Sequence, residues 1–291
     1  MKIALTVRSA LFAAIGAFIA CLASGQSQPL TLQEGFVNVP GAKIYYKDSG
    51  GRGVPVVFLH AFTGSAEVWE HQIPTFTRAG YRFIAYDRRS YGRTVADPNG
   101  PASTGADDLL ALLDHLKIDK FHLVSTAGGV RVGIDFAISY SPRLRSLTLL
   151  CGQGGVEDPD YVEATKRLAP EGFEKMPATF RELSPSYRVA NPEGVVRWAE
   201  FESKNRAPEA MRGPAQPNKN RVTLAALEGI RSPALVIAAD ADPYAPPALM
   251  RRIADRIKGA QFVVFPDTGH SAWWEAPDRF NRTVLTFINK H

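Results

Sequence analysis

Six apolar runs of strand length punctuate this chain: "PVVFLHAF", "YRFIAYD", "FHLV", "LRSLTLLCG", "ALVIAAD" and "AQFVVFPD". They are continuous or nearly so, where a half-exposed strand would alternate apolar with polar residues. Such strands need cover on both faces, the condition of a parallel sheet between helices. Helical spacing fills the intervals at residues 68–78, 106–116 and 130–139. The closing "PDRFNRTVLTFINKH" reads as a helix with Pro277 near its first turn, where a missing amide N–H is tolerated. The repeated order predicts an α/β fold, a mostly parallel twisted sheet with helices on both faces. Ahead of it, "GFVNVPGAKIYYKDSG" alternates about Pro40-Gly41 and reads as a hairpin.

Residues 152–219 break this rhythm. "LAPEGFEKMPATFRELSPSYRVANPEG" is rich in Pro, Glu and Arg and holds no apolar strand run. Helical pieces are expected around residues 161–168 and 192–204. The segment is too lean in apolar residues to fold alone, so it is expected to lie as a helical cap or lid on a core made of residues 30–151 and 220–291.

The first residues carry a different signal. Lys2 and Arg8 precede any acid, an apolar stretch runs from Ala10 to Ala23, and Ala23-Ser24-Gly25 offers small residues for cleavage. This predicts a signal peptide over residues 1–25 and a periplasmic or secreted protein, with a stretch too short for a membrane span. Lipidation at Cys21 is the alternative, disfavoured by Phe18 three positions before it. An intact leader also argues against a laboratory serine-to-alanine change further on. Losing Lys2 and Arg8 with the leader takes the formal charge from +5 to +3. The remaining basic residues are scattered among acids, so no nucleic-acid partner is expected, nor any integral membrane span in the mature chain. Of two cysteines, Cys21 belongs to the leader, and Cys151 then has no intrachain partner. Stability must come from core burial, which 291 residues with 45% apolar content can supply. Nothing in the sequence fixes an oligomeric state.

In open parallel sheets ligands bind beyond the carboxyl ends of the strands. The polar residues falling there are His60, Asp87, Ser125-Thr126, Asp240 with Asp242, and Gly269-His270. An acid followed late in the chain by a histidine completes a pattern. After the leader, the chain resembles the α/β-hydrolase fold superfamily. "FLHAFTGSAEVW" is similar to the loop carrying an oxyanion-hole amide, and "YDRRSYGRT" to the Asp-x-Arg-Gly-x-Gly-x-Ser turn. "VIAADADPYAPP" and "VFPDTGHSAWWEAPDRFN" resemble the segments of the catalytic acid and the catalytic histidine. The resemblance implies Asp242 as acid (Asp240 as fallback), His270 as base, and the N–H groups of Phe62 and Gly128 as oxyanion hole. It implies no cofactor and a small-molecule substrate. His60 is expected to brace the oxyanion loop at the edge of the substrate site. The other histidines have no ligand pattern, so no metal site is expected.

The departure is at "LVSTAGGV", where the family carries a nucleophile on a sharp strand-to-helix turn. The gap-free register puts Ala127 at that position, with Ser125 replacing a family glycine and Thr126, beside the tip, expected to contact substrate. A one-residue shift would instead make Thr126 the nucleophile. Losing a triad serine costs on the order of 10⁶ in turnover, so covalent esterase chemistry is not the expected reading. A His270–Asp242 dyad can still activate water or remove a proton, leaving hydrolysis, C–C cleavage or lyase chemistry open. A catalytically silent binding module that keeps the pocket is the reading from a different class. Cys151, at the end of its strand, is a rival nucleophile, though its leucine neighbours favour a buried structural thiol. Trp198 in the insertion and Trp273 after the histidine, with other aromatics there, are expected to shape a small, partly apolar binding site. Arg181, Arg188 and Arg197 are candidate partners for a substrate carboxylate, with solvated surface arginines as the plainer account.

Overall fold

The computed structural model describes residues 31–291. The expected leader and Cys21 lie outside the described residues. Nine strands form one sheet: β1 (Gln33–Val39), β2 (Ala42–Asp48), β3 (Pro55–Leu59), β4 (Arg82–Tyr86), β5 (Val95–Ala96), β6 (Phe121–Thr126), β7 (Leu144–Leu150), β8 (Ala234–Ala239) and β9 (Gln261–Phe265). Their order is β1-β2-β4-β3-β6-β7-β8-β9, with the two-residue β5 pairing β2. The five contacts running from β4–β3 to β8–β9 are parallel. The β1–β2 hairpin turns at Pro40-Gly41 and joins β4 antiparallel.

The apolar runs are explained by what lies on either side. Alternate residues of a strand point to opposite faces. Val57, Leu59, Leu123, Leu149, Val236 and Ala238 enter one core, whereas Val56, Phe58, Val124, Leu150, Leu235 and Ile237 enter the other. The helices in chain order are α1 (Ile73–Arg78), α2 (Gly105–His115), α3 (Gly129–Tyr140), α4 (Pro159–Lys166), α5 (Ala178–Glu182), α6 (Pro185–Ala190), α7 (Pro192–Ser203), α8 (Leu224–Leu227), α9 (Pro247–Ala254), α10 (Ala272–Glu275) and α11 (Pro277–Ile288). Residues of α2, α3, α8 and α9 fill the first core, and residues of α1, α10 and α11 fill the second. The sheet is therefore covered on both faces. Edge strand β9 is mostly uncovered.

Some boundaries differ from expectation. The helix expected over 68–78 is a 3-10 turn at Ala66–Trp69 followed by α1, because Pro74 fits only a first helical turn. Residues 152–219 hold α4 to α7 and no strand, as expected. Two of those helices, α5 and α6, were not legible; Pro177 caps the first and Pro185 opens the second. Among the described residues no helix is long and apolar enough to cross a membrane.

A buried ion pair ties the hairpin to the body. Arg89 donates to both carboxylate oxygens of Asp108 in α2 (2.7 and 2.9 Å) and to the Pro40 carbonyl (2.7 Å). Both charged side chains are almost fully buried. Removing one partner of such a pair strands the other charge. Arg89→Met is expected to cost about 3–5 kcal/mol in urea unfolding; a loss under about 1 kcal/mol would show that water reaches Asp108.

Candidate active site

The residues beyond the carboxyl ends of the parallel strands meet at one cavity of about 550 Å³. Its wall includes Ala61, Phe62 and Thr63 after β3, Ala127 and Gly128 after β6, Gly152 and Gln153 after β7, Tyr244 after β8 and His270 after β9. The insertion adds Arg181, Glu182, Glu202, Asn205 and Arg206.

Ala127 stands at the tip of the turn from β6 to α3 with φ of +48°. Its N–H donates to the Leu150 carbonyl (2.8 Å), and its own carbonyl accepts from Val130 (3.0 Å), which fixes the turn. The turn passes so close to its neighbours that only glycine fits around it. A Cβ at Gly129 would lie 2.7 Å from the Leu59 carbonyl oxygen, and one at Gly152 would lie 2.5 Å from that of Ala127. Ser125 fits where the resemblance expected glycine because α3 presents Gly133, whose Cβ would lie 2.3 Å from the Ser125 hydroxyl. Thr126 does not face the cavity: it is buried in β6, and its hydroxyl donates to the Leu59 carbonyl (3.1 Å).

His270 Nδ1 lies 2.9 Å from both carboxylate oxygens of Asp242. The N–H groups of Tyr244 (2.8 Å) and Ala245 (3.1 Å) donate to the same carboxylate, fixing its plane. Nδ1 is thereby the occupied nitrogen, leaving Nε2 as the free one. Asp240 instead accepts from the Thr268 N–H. Phe62 and Gly128 both line the cavity, and their backbone N–H groups donate to no acceptor among the described residues. The Phe62 ring rests on the turn, where a Cβ on residue 128 would lie 2.6 Å from it.

Other expected site residues sit elsewhere. His60 is wholly buried, with Nδ1 2.7 Å from the Ala61 carbonyl and Nε2 accepting from the Arg88 N–H (3.1 Å). It braces the loop and does not line the cavity. Trp273 and Trp198 do not line it either. Trp273 packs against Trp69 in the core, and Trp198 donates its indole N–H to Ser271 (3.2 Å) beside the histidine. Large rings in the core bury more apolar area than at a polar rim, which accounts for both corrections. Cys151 is fully buried, and burial together with the Asp242 carboxylate raises its thiol well above the ordinary range. It is no thiolate. Arg197 pairs with Glu70 and Glu200 at the surface and Arg188 lies over Phe180. Arg181 does reach the cavity, donating to the Tyr244 hydroxyl (2.7 Å). Among the described residues no cluster of three His, Cys, Asp or Glu side chains is arranged to hold a metal ion.

Sequence reasoning missed Glu182. This buried glutamate accepts from Thr63 and from Ser271 (3.4 Å each) through one oxygen, bridging the loop after β3 and the residue after His270. No local pattern sets it apart from Glu174 in the same charged stretch. Burial raises its carboxyl above the ordinary range.

These features place the chain among known proteins. The alpha/beta hydrolase family profile matches residues 56–283. The chain belongs to the alpha/beta hydrolase family. One relative of this alpha/beta hydrolase is the 2-hydroxy-6-oxononadienedioate/2-hydroxy-6-oxononatrienedioate hydrolase of Burkholderia vietnamiensis. It is 28% identical, covering 85% of this chain and 91% of the relative. A thermophilic esterase from Thermogutta terrifontis, solved with malate bound, superposes with a TM-score of 0.73 at 27% identity, covering 89% of this chain and 98% of that one. Est816, described as an N-acyl homoserine lactone degrading enzyme, gives a TM-score of 0.70 at 27% identity, covering 87% and 100%. Several relatives of this alpha/beta hydrolase are named as hydrolases, which supports hydrolase function here.

Burial by itself pulls an imidazole's pKa down. Here the carboxylates of Asp242, Glu182 and Glu275 outweigh it, and His270 is pushed up to about 9. The folded value exceeds the ordinary 6.5. The pair therefore stabilises the fold fully below about pH 6.5, and this contribution, about 3 kcal/mol, is lost as pH rises through about 9. NMR titration of the His270 ring proton is expected to give a midpoint near 9, and Asp242→Asn to lower it by about 1–3 units. A wild-type midpoint below 6.5 would mean that desolvation wins.

Proposed function

We propose that this chain is an exported alpha/beta hydrolase that acts by His270–Asp242 base catalysis without a covalent serine intermediate, with residues 152–219 as its lid. The leader-like first 25 residues support export. The observation that carries the chemistry is the cavity wall itself: the Asp242-held imidazole of His270 shares it with Ala127, whose methyl group has no nucleophilic atom.

Water bound at Nε2 of neutral His270 gives its proton to the ring as its oxygen adds to the substrate carbonyl. The negative charge develops on the carbonyl oxygen, where the N–H groups of Phe62 and Gly128 receive it. As the tetrahedral adduct collapses, the imidazolium returns the proton to the leaving atom, so ring and site end as they began. A vinylogous carbon leaving group converts the same sequence into C–C cleavage. The relatives' names, which include an oxodienedioate hydrolase, an esterase and an N-acyl homoserine lactone degrading enzyme, support a carbonyl substrate.

One observation favours a second reading. With its pKa near 9, His270 is a cation at neutral pH and suits a ligand-binding module whose histidine donates a hydrogen bond. The two readings part in the pH profile. A base requires activity to climb with pH toward a plateau above about 9, whereas a donor requires ligand affinity to fall over that range.

His270→Ala is expected to lower kcat by about 10²–10⁴ against esters, lactones and β-diketones. A serine-directed fluorophosphonate is expected to leave the wild type unlabelled and to label Ala127→Ser. Labelling of the wild type at Thr126 would overturn the assignment of Ala127 to the nucleophile position.

A further inference from the structure

A second space of about 580 Å³ adjoins the first and shares Phe62, Gly128, Arg131 and Arg206 with it. Its wall also includes Arg88, a residue the dyad chemistry does not use. Arg88 is only 6% exposed, yet no carboxylate pairs with it among the described residues. One guanidinium nitrogen donates to the Ala61 carbonyl (3.2 Å), and its buried Nε has no acceptor. The group lies against the rings of Phe62 (5.1 Å) and Tyr91 (4.7 Å). Arg206 faces the same Tyr91 ring at 4.3 Å, so two cations share one aromatic partner.

The neighbouring arginine shows what is missing. Arg89, next in sequence and equally buried, has both oxygens of Asp108. Asp135, the carboxylate on this second wall, is engaged by the N–H groups of Lys219 and Asn220 and by the Asn220 amide. Arg131, in the first turn of α3, contacts Asn218 and pairs with no acid among the described residues. Glu182 and Glu202 line the first cavity and not the second. A buried guanidinium without a counter-charge is costly. Burial pulls Arg88 below the ordinary guanidinium range, and Arg206 adds to this. Three cations beside unengaged backbone N–H groups make a concave, positively charged wall that a planar anion completes with charge-assisted hydrogen bonds.

We propose that Arg88, Arg206 and Arg131 form an anion subsite that takes a carboxylate carried by the substrate, whose carbonyl end then reaches Phe62 and Gly128 in the adjoining cavity. The proposal rests on reading that cavity as the substrate site. It specifies the substrate class as a small acyl compound with a remote carboxylate. Of the arginines suggested by sequence alone, Arg188 and Arg197 line neither space.

The test is calorimetric titration of the full chain with monomethyl succinate, adipate and suberate and with their dimethyl esters, alongside hydrolysis assays of the same compounds. At least one monoanion is expected to bind about 10- to 100-fold more tightly than its neutral counterpart, and added salt is expected to erode only the monoanion's affinity. Arg206→Ala, at an exposed position that leaves the core intact, is expected to remove about tenfold of this preference, and Arg88→Met to remove more. If every dimethyl ester binds as well as its monoanion, or the preference survives Arg206→Ala, the subsite is overturned, whether or not the esters are hydrolysed. If the monoanion binds selectively and nothing is hydrolysed, the subsite stands and the catalytic reading falls.

Discussion

A strand buried on both faces has no room for an unpaired charge except past its end, and this constraint arranges the rest of the molecule. β3, β6 and β8 lie inside two apolar cores. Inside them an unpaired charge would cost several kcal/mol. The charged dyad lies past the carboxyl ends of its strands, Asp242 after β8 and His270 after β9. Parallel pairing then brings those ends to one edge of the sheet. Phe62, Gly128, Asp242 and His270 are far apart in sequence but share that edge for the same physical reason.

The turn at Ala127 is held to the same standard. A non-glycine residue at φ +48° costs on the order of 1 kcal/mol, and Cys151 at the end of the adjacent strand repeats the strain at +49°. Both are fixed from outside, Ala127 through Leu150 and Cys151 through the Ile237 carbonyl. The close approach of Gly129 and Gly152 to neighbouring carbonyls leaves the backbone no relaxed alternative. The geometry therefore does not depend on the side chain at position 127. Ser125 and Gly133 show how the sequence can leave a family pattern while keeping its shape, since a hydroxyl gained on the strand is matched by a Cβ absent from the helix.

What was legible in the sequence had local causes. Buried strands advertise themselves as apolar runs, and the dyad as an acid and a histidine after two such runs. The glycines beside Ala127 answer to carbonyls a few ångström away. Glu182, Arg131 and Arg206 had no such signature. Glu182 and Arg206 belong to segments rich in charges and Arg131 to a mostly apolar helix, and only the packing of each element decides which charge faces the cavity. The aromatic residues failed in the opposite sense. Trp198 and Trp273 looked like pocket walls, but their size made them more valuable in the core.

The electrostatics of the two cavities follow from this division. On one side Asp242, Glu182 and Glu275 crowd a single histidine and keep it protonated to high pH. On the other, Arg88, Arg206 and Arg131 have no carboxylate among the described residues to answer them. Arg131 and Arg206 line both spaces, which meet at the loop carrying Phe62 and the turn carrying Gly128. A ligand bearing a carboxylate at one end and a carbonyl at the other would supply the missing counter-charge to the arginines. It would also bring an electrophile to the imidazole. Charge separation built into the site is in this sense a description of the molecule that fits it.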